Sequence, residues 1–154
     1  MNHYSNIKSP GASWSLDTFG PVKPSPNNNY RFMLVMIDNV SRYVIISTHL
    51  TKDMNTYTNQ IENSIHFIKT QFGRTVQELI MDRGSGFNNS QLKELCDEFG
   101  IHRVFTAVQD HSANARAERG IRTIISDART LLIQARIRLK FWHYAAKAAV
   151  NVRN

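Results

Sequence analysis

The sequence predicts a single α/β domain built on a mixed five-stranded sheet flanked by helices. Two patterns point to it: three extended segments come first, at residues 14–20, 30–37 and 43–49, and helical periodicities then alternate with short apolar strands. A chain of 154 residues with 42% apolar content is long enough to bury one full core and too short for two ordinary domains.

Residues 1–12, with their Asn, Ser, Lys, Pro and Gly, carry no periodicity and read as an irregular leader to a core spanning 13–154. The first strand has Asp17 in its middle. Pro21, Pro24, Pro26 and the run Asn27 to Asn29 then make a loop in which regular pairing cannot persist. The nearly continuous apolar run from Tyr30 to Ile37 suits a central strand buried on both faces. Asp38 and Asn39 fall at the turn into the third strand, where Asp38 is expected to cap the turn.

Met54, Tyr57, Ile61, Ile65, Ile68 and Phe72 recur at helical spacing until Gly73 stops the run. The apolar stretch 76–81 is a short strand with Asp82 at its carboxyl end, followed by a loop holding Gly84 and Gly86. Asn88-Asn89-Ser90 reads as the cap region of a helix carrying Leu92, Leu95, Cys96 and Phe99, which Gly100 closes. Residues 101–106 form the fifth strand. Residues 107–113 are polar and unpatterned and read as a mobile loop, with His111 solvated in it. Next comes a helix with the apolar stripe Ala117, Ile121, Ile124, Ala128, Leu131 and Ala135. At about 100° per residue, Glu118 lies at the seam between that stripe and a polar face bearing Arg122 and Arg129. Phe141, Trp142, Ala145, Ala146, Ala149 and Val150 form a last helix that packs on the core or on a second subunit.

Composition narrows the function. The lone Cys96 excludes an internal disulfide and a Cys-rich zinc site, and its helical spacing makes it a core residue. The longest apolar runs are far too short to span a bilayer, and the N-terminus lacks a signal-peptide pattern, so an intracellular protein without membrane contact is expected. The net charge of +7 favours a polyanionic partner. Residues 110–154 hold nine Lys/Arg against three Asp/Glu, which is +6 of that total, whereas residues 1–109 carry ten against nine.

The candidate chemistry lies in three carboxylates: Asp17, Asp82 and, with 35 residues between, Glu118. Hard divalent ions such as Mg²⁺ or Mn²⁺ take oxygen ligands and keep open positions for water and phosphate. Two such ions about 3.5–4 Å apart can stabilise both oxygens of an in-line phosphoryl displacement. Acidic groups crowded together raise one another's pKa, so a metal would restore their full ionisation.

The words around these positions are Leu16-Asp17-Thr18-Phe19-Gly20-Pro21, Asp38 with Ser41-Arg42-Tyr43, Asp82-Arg83-Gly84-Ser85 and Ala117-Glu118-Arg119. With the 35-residue spacing they resemble the catalytic core of copia-type LTR-retrotransposon integrases, in the retroviral integrase-like DDE family, over residues 13 to 153. The resemblance implies a ribonuclease H-like fold and a metal-dependent polynucleotidyl transferase that joins element-end DNA to target DNA. It implies Asp17, Asp82 and Glu118 as catalytic residues and ligands of Mg²⁺ or Mn²⁺, two ions in all. It also implies a homo-oligomer that works in the nucleus at the site of integration and travels in a cytoplasmic particle before that. Arg116, Arg119, Arg122 and Arg129 are the expected DNA contacts. The zinc-binding domain that such proteins carry before the core and the DNA-binding domain after it are both missing from this sequence, so an isolated core is expected.

Two places depart from the family pattern. Gly86 stands where a Glu or other polar residue is usual after the Ser, and Ala115-Arg116 replaces Gly-Val before Ala-Glu-Arg. The added Cβ at position 115 stiffens the entry to the Glu118 helix. The alternative from another class is a non-enzymatic, nucleic-acid-binding remnant of a transposon integrase, and a ribonuclease H-type nuclease is a further enzyme reading.

Overall fold

The computed structural model describes residues 7–106 and 111–154, with side chains described throughout except at 111–114. Five strands form one sheet: β1 (Ser13–Phe19), β2 (Phe32–Asp38), β3 (Val44–His49), β4 (Glu78–Asp82) and β5 (His102–Thr106). Their order is β3-β2-β1-β4-β5. β1, β2 and β3 pair antiparallel, while β1–β4 and β4–β5 pair parallel, so the sheet is mixed as expected. Among the described residues four α-helices flank it: α1 (Met54–Phe72), α2 (Ser90–Phe99), α3 (His111–Gln134) and α4 (Trp142–Arg153).

The core lies on both faces of the sheet, and β2 shows why its sequence is apolar throughout. Leu34 and Met36 pack with Tyr57, Ile61 and Ile68 of α1 and with Leu92 and Cys96 of α2. Met33, Val35 and Ile37, one step out of phase, pack with Ile121, Ile124 and Ala128 of α3 and with Ala145, Ala146 and Ala149 of α4. The last helix therefore covers this chain's own core. Its terminal Asn154 also accepts from Val44 N (2.9 Å) and donates to Val44 O (2.8 Å), which pairs the outer edge of β3.

Helix ends follow the expected chemistry. Asp53 caps α1 by accepting from Thr56 N at 2.9 Å, Asn89 caps α2 by accepting from Leu92 N at 2.9 Å, and Gly73 and Gly100 close the two helices in the left-handed region. Asp38 ends β2 and receives both the amide and the hydroxyl of Ser41, the expected turn cap. Cys96 is fully buried, and burial pushes its thiol up to about 11, far from a nucleophile's range.

The Glu118 helix differs from its sequence reading at both ends. It begins at His111, so residues 111–113 of the expected loop are helical, while 107–110 and the His111 side chain lie outside the described residues. Its buried stripe is Ala117, Ile121, Ile124, Ala128 and Leu132. Leu131 packs only at the margin, and Ala135 is past the helix end. Ala135 is lost to the stripe because the helix stops at Gln134, and Leu131 and Leu132 flank the stripe's centre on either side.

Candidate active site

Strand parity carries two of the three carboxylates to one place. On β1, Trp14 and Leu16 enter the α1/α2 core, so Ser13, Ser15, Asp17 and Phe19 face α3. On β4, Leu79 and Met81 enter that same core, so Glu78, Ile80 and Asp82 face α3 as well. The parallel register pairs Ser15 with Ile80. Two residues further along each strand stand Asp17, in the carboxyl-terminal half of β1, and Asp82, the last residue of β4. At the opposite end of the same face, Ser13 donates to buried Glu78 (2.7 Å) and Asn39 donates to Ser13 (2.9 Å). Ser15 completes the network by donating to Asn39 (2.7 Å), so this polar cluster is satisfied and structural.

α3 crosses this face and packs on β1, β2, β4 and β5. Ala117 is buried beneath it and Glu118 is exposed beside it, as expected for the seam. Burial raises the Asp17 carboxyl above its ordinary value, and the negative charges of Glu118 and Asp82 raise it further. The Thr18 amide, which donates to Asp17 Oδ1 at 2.7 Å, and the Lys52 ammonium both oppose that rise. Asp82 Oδ1 accepts from Gly84 N at 3.2 Å, which turns the chain through the 3-10 turn Arg83–Ser85. The three carboxylates therefore share a neighbourhood. Among the described residues, however, no three His, Cys, Asp or Glu side chains stand close enough to hold one ion together.

The donor set suits a hard divalent ion: three carboxylates on a partly open sheet edge. Sequence reasoning missed Lys52, which enters from the β3–α1 connection and had no flanking signal.

Arg116, Arg119, Arg122 and Arg129 are all exposed on α3. Among the described residues, Asp127 pairs with Arg153 (3.4 Å) and not with Arg122 or Arg129. No helix among the described residues is long and apolar enough to cross a membrane.

The comparisons with known proteins give the family and the fold. The family model described as "Integrase core domain" matches residues 8–111, a stretch that holds Asp17 and Asp82 and stops before Glu118. A chain in the cryo-EM structure of the simian T-cell lymphotropic virus intasome in complex with PP2A regulatory subunit B56 gamma superposes with a TM-score of 0.72 at 15% identity. That match covers 96% of this chain and 50% of that one, so the chain spans half the length of this viral relative. The catalytic core domain of BIV integrase superposes with a TM-score of 0.66 at 17% identity, covering 91% of this chain and 81% of that one. The mixed sheet with its flanking helices is the integrase, ribonuclease H-like core fold. The chain belongs to the integrase core domain family.

Proposed function

We propose that the chain is the catalytic core of a copia-type retrotransposon integrase, a polynucleotidyl transferase that joins element-end DNA to target DNA. The observation that carries this reading is that Asp17 and Asp82 each lie two residues past Ser15 and Ile80, the last paired positions of adjacent parallel strands, with the charges of Glu118 and Asp82 both acting on Asp17. These three residues would hold Mg²⁺ or Mn²⁺, two ions at full occupancy. When bound, such ions polarise a phosphoryl oxygen and lower the pKa of a water or hydroxyl nucleophile.

The protein's own part is positioning. Burial and the nearby negative charges raise the Asp17 carboxyl above its ordinary value, and a bound cation would oppose that rise. Lys52, whose charge acts on Asp17, would meet a phosphate oxygen of the DNA. Arg116 and Arg119 lie nearest Glu118 in sequence, and Arg122 and Arg129 extend the positive face along α3. These contacts go to phosphates, which fix register on the duplex without reading its sequence. Assembly into a homo-oligomer on DNA, and action in the nucleus after transit in a cytoplasmic particle, belong to the same reading.

Strand transfer and disintegration on branched DNA with Mn²⁺ test it. The expected result is product formation that Asp82→Asn abolishes. DNA binding without metal dependence or turnover would favour the non-enzymatic remnant instead.

A further inference from the structure

A second surface lies along α3, separate from the carboxylates. A cavity of about 260 Å³ runs between α3, the segment after β1 and the start of α4. Phe19, Ile125, Leu132 and Trp142 make its walls. Phe19 and Trp142 meet edge to face at 6.4 Å, and Leu132 is buried while the other three are half-buried. The rim carries Lys23, Arg129 and Lys140, all exposed, and among the described residues no acidic side chain lines the groove.

The neighbouring surface repeats this chemistry. Arg136-Ile137-Arg138-Leu139-Lys140 alternates cation with apolar residue, and Ile137 and Leu139 are 48% and 61% exposed. Ile133, at 66%, adds to the same end of α3. An exposed apolar cluster rimmed by one sign of charge has the composition of a recognition site.

We propose that this groove docks an acidic, apolar-anchored peptide segment of a partner protein. The walls call for apolar side chains, because a duplex backbone presents charged phosphates and sugars that such walls would desolvate without compensation. The rim calls for negative charge, since three cations without a carboxylate among them would repel a basic segment. Peptide recognition of this kind seats apolar anchors in the groove and leaves Asp or Glu to meet the rim. Ile125 stands seven residues from Glu118, about 20° away around the helix and about 10 Å along it. An occupant would thus lie next to the carboxylates and would take Arg129 away from DNA. The inference does not depend on the catalytic reading, and its test uses neither metal nor substrate.

The test is fluorescence anisotropy with three short labelled peptides: one with two Leu or Phe anchors four residues apart among Asp and Glu, one with Lys for the acids, and one with Ser for the anchors. The first should bind the full chain best. Lys23→Glu with Lys140→Glu, and separately Leu139→Ser, should each weaken it by about tenfold, with unchanged melting temperature. All three positions are exposed, so folding is spared. Equal binding of the three peptides by wild type overturns the proposal, as does binding that neither variant weakens. Two further results overturn it in favour of another occupant. In one, duplex DNA and not the peptide loses affinity in the charge-reversed variant. In the other, sedimentation shows self-association that Leu139→Ser abolishes while no peptide binds.

Discussion

Gly120 of α3 sits so close over Ile37 of β2 that a Cβ built on it would lie 2.1 Å from Ile37 Cδ1. Two residues earlier on the same helix is Glu118, so the bare backbone at 120 lets α3 descend far enough to bring that carboxylate toward Asp17 and Asp82. A glycine inside a helix ordinarily costs up to about 1 kcal/mol relative to alanine. Here close packing offsets that cost.

Gly120→Ala should therefore destabilise the fold. The overpacking cost of about 1–3 kcal/mol exceeds what helix propensity regains. Urea denaturation should show a lower midpoint, and adding Ile37→Val, which removes the clashing methyl, should recover part of it. An unchanged midpoint in Gly120→Ala would show that α3 rides higher than described.

Stability should fall as pH drops below about 6.5 because of two histidines. His143 is fully buried with neither ring nitrogen hydrogen-bonded among the described residues, and it packs edge to face on Tyr30. Burial lowers its pKa, and Lys147 lowers it further. His49 is lowered by burial too. A histidine with a depressed folded pKa takes up its proton more readily when unfolded. Its contribution is thus complete above the ordinary value of 6.5 and is lost as pH falls from there toward the folded pKa. The slope is at most about 1.4 kcal/mol per pH unit for each histidine. Thermal melts between pH 7.5 and 5 should show it, and His143→Phe should flatten it. A wild-type profile flat over this range would exclude the effect.

Phosphate contacts along α3 are read through salt. Each neutralised phosphate on a duplex adds about −0.9 to the slope of log K against log salt concentration. Replacing Arg122 and Arg129 together by Ala should flatten that slope by about 2 and weaken binding without altering sequence preference. A slope equal to wild type would place the DNA elsewhere on the domain.

Much of this was legible in the sequence, because the elements follow local rules. The run from Tyr30 to Ile37 had no polar break, and the strand it forms has both faces covered. The periodicity of Met54 to Phe72 ended at a glycine, and α1 ends there. Asp17 and Asp82 could be placed at strand positions because apolar neighbours on alternate residues assign each strand's faces. What stayed hidden depends on separation in three dimensions. The charge of Lys52 acts on Asp17 from a connection with no pattern of its own, Gly120 reads as an ordinary helix weakness until Ile37 is beneath it, and the groove joins residues 19–23 to residues 125–142. The stripe on α3 was misplaced at its far end, where Leu132 is buried and the helix stops before Ala135.

The central claim, that Asp17, Asp82 and Glu118 together take up a divalent cation, is tested most directly by calorimetric titration of Mn²⁺ into the wild-type chain and into Asp17→Asn, Asp82→Asn and Glu118→Gln. The wild type should bind, and each substitution should weaken binding by about tenfold or more. Metal at 100 times its dissociation constant should stabilise the wild type by about 2.7 kcal/mol. Without metal, Asp17→Asn should melt at or above the wild-type temperature. Its raised carboxyl favours the fold only while protonated, below the ordinary value of 3.8, and loses that contribution as pH rises through the folded pKa. Equal Mn²⁺ affinity in the wild type and all three variants would contradict the account.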